Sequence, residues 1–199
     1  MKNNFFKSNN VVTSIAIAGV MLAFILILQF AFEDVKVFGG WGIQIFLIIY
    51  AISIWKIKNI VVNIMFVIIT PPLLFVLERG AWVINGMQVF FEYFLVYYIF
   101  IILYIPRYIC HKFSGHFKNK YILFESIIFL ISFSILIVVK FLLHSVASLT
   151  WWDTPWWGSL VYNSTWLATN ILLVPIAALI VFPIFKLFDK FNSGYQNKW

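Results

Sequence analysis

Long apolar runs fill this chain, and short polar or basic stretches separate them. The runs cover 11–32, 41–55, 59–77, 86–105, 121–146 and 158–185. A helix needs about 20 apolar residues to cross the hydrocarbon core, with a range of about 17–25. The pattern therefore predicts an all-α integral membrane protein: one domain over 1–199, a compact bundle of six transmembrane helices. The second run is short for a full span and is expected to borrow flanking residues. Pro71 and Pro72 are expected to kink or break the third helix near its outer end. Pro175 and Pro183 fall in the last run, where neighbouring helices can satisfy the freed carbonyls.

The connectors alternate in charge. Lys2 and Lys7 precede the first run, and Lys56 and Lys58 link the second and third. Arg107, Lys112, Lys118 and Lys120 lie in the link between the fourth and fifth, read as a basic inner loop over 106–120. Lys186, Lys190 and Lys198 follow the sixth. The opposite connectors hold only Lys36 and Arg79 as basic residues, each beside acids: Glu33 and Asp34, and Glu78. The positive-inside rule places the basic group, and with it both termini, in the cytoplasm of a multi-pass cell-membrane protein. The first run is longer than a secretory h-region and no convincing cleavage site follows, so it is expected to be a retained helix.

Composition agrees. Hydrophobic residues make up 63% of the chain and charged residues 11%. Mean hydropathy is +0.98. The net charge of +7 could suggest nucleic acid, but all its lysines and arginines except Lys140 sit in the connectors, where they set orientation instead. The single cysteine, Cys110, excludes an internal disulfide framework. Trp41, Trp82, Trp151, Trp152, Trp156 and Trp157 gather on the outer side, against Trp55 and Trp199 on the inner side. An interfacial belt should occupy both sides. The asymmetry favours an aromatic cluster with a function outside.

Charges inside spans are costly and mark candidate sites. Glu92 lies in the fourth helix, beside Tyr93, and Lys140 and His144 lie in the fifth. Lys140 and His144 are four residues apart and share a helix face. On these spans all three are expected at similar depth in the outer half, as a ligand pocket or as an ion pair that fixes packing. Glu125 falls near the inner end of the fifth helix, where it could be merely interfacial. Tyr162 and Asn163 bring polar groups to the outer level of the sixth, for a ligand or for interhelical packing. One carboxylate, several aromatic faces and a few donors suit a small organic cation. On the first helix, Ser14-x3-Ala18 and Gly19-x3-Ala23 permit close approach of another helix, inside the bundle or in another subunit.

No G-x-x-x-x-G-K-[ST] loop is present, so the chain cannot hydrolyse ATP by that route. No H-E-x-x-H motif is present, and Cys110, His111 and His116 lack an obvious fourth ligand. Neither a metal nor another cofactor is expected.

Three motifs carry a resemblance: Gln88-Val-Phe-Phe-Glu92-Tyr93; Lys140-x3-His144 followed by Trp152; and Ser159-Leu-Val-Tyr162-Asn163. With helices on this scale, a small-residue motif on the first and no ATPase, the chain resembles the substrate-binding (S) component of an energy-coupling factor (ECF) ABC transporter. Within that group it is most similar to the thiamine-specific component. The resemblance implies a binding protein rather than an enzyme. It captures thiamine on the outer side and delivers it through a transmembrane coupling subunit driven by two ATPase subunits. Glu92 would be the acidic partner of thiamine, with Tyr93 adjacent. Lys140 and His144 would contact its polar end, Asn163 would hydrogen-bond it, and Tyr162 would lie at the same level. Trp41 and Trp152 would form aromatic walls, and residues 78–85 a lid. Ala18, Gly19 and Ala23 would dock on the coupling subunit, and the whole component would topple in the membrane. Two departures stand out. Gly19 replaces one alanine of the helix-one motif. The third helix carries Thr70-Pro71-Pro72 where thiamine binders are expected to have a tryptophan, a ring that Trp82 could supply from the lid. An S component for another vitamin or a thiamine precursor remains an alternative. So do a stand-alone facilitator of a small solute and an intramembrane enzyme using Glu92 and His144.

Overall fold

A computed structural model describes residues 11–32, 43–78, 85–117, 121–151 and 155–196. Among the described residues there is helix and no strand. The elements are α1 (Val11–Phe32), α2 (Phe46–Lys56), α3 (Ile60–Leu77), α4 (86–117), α5 (Tyr121–Trp151) and α6 (156–196). The fourth is a composite rod with a π-helical stretch, Phe90–Leu95, and a 3-10 stretch, Ile99–Leu103. The sixth is broken at Leu172 into Trp156–Ile171 and Leu173–Gln196. Five helices, all but α2, are long and apolar enough to cross a membrane. The large exposed hydrophobics along them, such as Val20, Val61, Ile135 and Leu179, suit contact with lipid.

The second helix differs from the expected span over 41–55. It starts at Phe46 and has 11 residues, about 16 Å at the α-helical rise. Gly39, Gly40 and Gly42 precede it and are poor helix formers. The Gln44 backbone N–H is taken by Asn170 Oδ1 at 3.1 Å rather than by a preceding helical turn. Every residue from Phe46 to Trp55 is buried. A helix that is apolar on all sides belongs in the centre of a bundle. Here α1, α3, α4 and the second half of α6 all contact α2.

Two proline expectations resolve differently. The third helix runs unbroken through Pro71 and Pro72. Pro72 has no N–H to give the Ile68 carbonyl, and the Tyr98 hydroxyl of α4 approaches that oxygen instead, at 3.5 Å. The sixth helix does break. Pro175 cannot bond the Ile171 carbonyl, and the interruption falls at Leu172. The expected basic loop over 106–120 is also corrected: the fourth helix continues through Arg107 as Tyr104–Phe117. Pro106 lies just past the 3-10 stretch and does not interrupt the rod.

The end of α2 explains why Arg107 stays helical and buried. Asn63 Nδ2 donates to Ile54 O at 2.6 Å and to Ile57 O at 3.2 Å. Arg107 Nη1 donates to Ile57 O at 2.7 Å and more weakly to Ile54 O at 3.4 Å. The last carbonyls of a buried helix thus gain an amide and a cation, both favoured at the negative end of the helix dipole. Glu125 of α5 is buried rather than interfacial, with 6% exposure. It accepts from Trp55 Nε1 at 2.8 Å and from Lys56 Nζ at 2.9 Å on each oxygen. Lys56 Nζ also lies 3.7 Å from the centre of the Phe185 ring.

Removing one member of a buried pair leaves the other charge stranded, at a cost of ~3–5 kcal/mol. Thermal denaturation in detergent should therefore show a large loss of stability for Glu125→Leu. The double variant Lys56→Met/Glu125→Leu should recover most of it.

Candidate functional site

The N-terminal end of α2 meets a buried polar network. Lys140 of α5 is 0% exposed. Its ammonium donates to Gln44 Oε1 at 2.8 Å. It lies 3.8 Å from the centre of the Tyr97 ring and 5.2 Å from that of Trp166. His144, one turn further along α5, packs on the same Trp166 ring with centroids 5.5 Å apart. Asn170 completes the group: its Oδ1 accepts from the Gln44 backbone and its Nδ2 donates to Trp166 O at 3.1 Å. A cation here opposes the positive end of the α2 dipole. The two ring faces and the Gln44 amide oxygen therefore carry its stabilisation, and a desolvated cation–π contact is worth about 2 kcal/mol.

Glu92 precedes Tyr97, the α4 residue that meets Lys140, along the same helix. The fifth helix extends to Trp151 rather than ending at 146. Lys140 is thus about 16 Å from the Trp151 end of α5, farther from that end than the expected span implies. Tyr97, which meets Lys140, is five residues beyond Glu92 along α4, roughly 7 Å at helical rise. Glu92 is half-buried, on the π-helical stretch, and its Oε2 accepts from the Gln88 side chain one turn earlier. Rings surround that level: Phe91 against Trp151 at 5.4 Å and Tyr93 against Phe75 at 5.0 Å between centroids. A π-helical turn re-aims side chains that a regular helix would place elsewhere, and such turns are frequent at functional sites.

Asn163 is buried at the α5–α6 contact. Its Nδ2 donates to Ser148 Oγ at 3.1 Å and to Ser159 O at 2.9 Å. Ser159 in turn donates to Ser145 O at 2.7 Å. Tyr162, beside it in sequence, turns to the outer surface of α6 with 58% exposure. The structure thus brings Lys140 and His144 together around Trp166, places Glu92 and Tyr93 on the π-helical stretch before Tyr97, and turns Tyr162 to the surface. Trp41, Trp82 and Trp152 lie outside the described residues, as does most of the expected lid over 78–85. Gln44, Tyr97, Trp166 and Asn170 were not anticipated. Gln44 and Asn170 carried a legible signal, each being an uncharged polar residue within an apolar stretch. Tyr97 and Trp166 carried none that separates them from core aromatics.

The small residues of α1 divide between two faces. Ser14 is buried and Ala18 packs against the core, whereas Gly19 and Ala23 are exposed on the outward side. A Cβ built on Gly19 would meet no atom within 4 Å.

No family model matches this chain, and neither a curated protein nor a solved structure matches it.

The Gln44 side chain is the hydrogen-bond acceptor of a buried ammonium. Gln44→Leu should lower stability by ~1–3 kcal/mol, the cost of an unsatisfied buried group. Gln44→Leu/Lys140→Met should restore part of that loss in the same detergent melt.

Proposed function

We propose that this chain is the thiamine-binding S component of an ECF-type transporter. In this reading six segments cross the membrane with both termini in the cytoplasm. The short α2 completes its crossing with the residues before it. The observation that carries the reading is the Glu92 carboxylate, set on a π-helical turn near the outer end of α4 among aromatic rings. That combination supports recognition of an organic cation, whose charge the carboxylate matches and whose faces the rings cover. The faces of Tyr97 and Trp166 already cover Lys140. The cationic part of the ligand therefore belongs at the Glu92–Tyr93 level, and its neutral polar end points down toward His144 and Lys140. Asn163 borders the same region. Trp41, Trp152 and Trp82 complete the walls, and residues 78–85 the lid.

Uptake then needs partners: a transmembrane coupling subunit and two ATPase subunits, with no catalysis by this chain. The exposed Gly19 and Ala23 support α1 as the docking face, with Ala18 behind them holding α1 to the bundle.

Tryptophan fluorescence of the detergent-purified chain, titrated with thiamine, tests the ligand. Saturable quenching by thiamine, absent for riboflavin and biotin, is the expected result. Glu92→Gln should weaken binding about 30-fold or more, the equivalent of ~2 kcal/mol, while the protein stays folded. Unchanged affinity in that variant would remove the counter-ion role. Quenching by another vitamin or a thiamine precursor alone would reassign the ligand.

Docking has its own measurement. Gly19→Leu should leave thiamine affinity unaltered and abolish uptake in vesicles that also hold the coupling subunit and ATPases. Full uptake by the variant would move the docking face elsewhere. Active uptake by the chain alone would instead favour a self-sufficient transporter.

A further inference from the structure

A glutamate side chain has several rotatable bonds, and that of Glu92 is only half-buried. Fixing it in one orientation costs rotamer entropy at the moment of binding unless a neighbour holds it beforehand. Gln88 is placed to do so. It is 0% exposed, and its Nε2 donates to Glu92 Oε2. The two residues lie four apart on α4, neighbours along the same side of the rod.

The base beneath Gln88 is itself fixed. Gln88 stands in the α-helical turn Gly86–Val89, which Asn85 precedes. Asn85 Oδ1 accepts from the Gln88 backbone N–H at 2.9 Å, the bond by which an N-cap residue anchors a first turn. From there the Gln88 side chain reaches into the π-helical stretch Phe90–Leu95, which carries Glu92. Rings confine the same stretch from two sides: Phe91 packs on Trp151 and Tyr93 on Phe75. Cap, amide and carboxylate thus follow one another along one helix, from Asn85 to Gln88 to Glu92.

The chemistry of the donor matters as much as its position. A lysine or arginine there would bring its own positive charge to the carboxylate and compete with a cationic ligand for it. An amide gives a hydrogen bond and carries no net charge. It orients the carboxylate and leaves the negative charge for the ligand.

We propose, resting on the thiamine reading above, that Gln88 is the positioning residue of the Glu92 carboxylate. The pair, rather than Glu92 alone, then sets the preference of the site for a cation.

The test compares two ligands by tryptophan fluorescence of the full chain in detergent: thiamine, and deazathiamine, in which an uncharged thiophene replaces the thiazolium. The unmutated chain should prefer thiamine, and E92Q should lose that preference. Q88M should lower it about fivefold, the size of one net hydrogen bond. Equal weakening of both ligands is what a purely structural role gives, and it overturns the proposal, as does an unaltered preference. Adding Q88M to E92Q should change thiamine affinity by less than about twofold, because Gln88 then has no carboxylate to act through. A full further loss in that double variant shows Gln88 acting independently of Glu92 and also overturns the proposal. Should Q88M fail to fold, Q88N keeps the amide on a side chain one methylene too short, and its preference should fall in the same way. An unmutated chain that binds both ligands equally refutes the charge selectivity and the role of Gln88 with it. One that binds neither overturns the thiamine reading itself.

Discussion

A helix with no exposed side must have both of its ends satisfied by its neighbours. Buried α2 cannot send its first N–H groups or its last carbonyls to water, and lipid offers no alternative. At one end Asn63 of α3 and Arg107 of α4 converge on Ile54 O and Ile57 O. At the other, Asn170 of α6 takes the N–H of Gln44. These bonds reach three different helices. They fix the height of each around the same short core, and Glu125 ties in α5 through Trp55 and Lys56. Apolar packing alone would hold the helices together but would fix their mutual sliding far less sharply, because leucine and isoleucine faces tolerate repacking.

The candidate pocket inherits its geometry from that constraint. Asn170 is available to Gln44 where the sixth helix is interrupted, and the interruption follows from Pro175. Gln44 then offers its side-chain oxygen to Lys140, and Tyr97 and Trp166 close over the ammonium. The result is a floor whose cation is already enclosed, beneath a level where Glu92 lies among rings. A ligand that bridges the two levels would have its charge at one end and its hydrogen-bonding groups at the other.

Much of the architecture was legible in the sequence, because membrane spanning is a one-dimensional property. Length and hydropathy of a run suffice to recognise 11–32, 59–77 and the long later helices. The same rule placed the start of α2 too early, at 41 instead of Phe46, since an apolar run reads alike whether lipid or protein surrounds it. The basic stretch after 105 read as a loop because charge marks the end of a span. The helix continues there only because Arg107 finds carbonyls across the bundle. Pro71 and Pro72 read as a kink or break because sequence carries no sign that Tyr98, on another helix and 30 residues from Ile68, would bring its hydroxyl to the freed carbonyl.

Among the site residues, Glu92, Lys140 and His144 were singled out by the cost of charge in a span, which is a property of each residue alone. Their relative depth was not legible, for it depends on where α5 ends and on how α4 and α5 slide past each other. The two faces of α1 were equally hidden: Ser14-x3-Ala18 and Gly19-x3-Ala23 look alike as text, and only packing turned the first toward the core and left the second outward. The sequence by itself determined that this protein is a helical membrane protein and which of its residues are too costly to be there by chance. The tertiary structure decided which of those residues meet, because contact depends on helix rotation and height, and these were set by the polar ends of one buried helix.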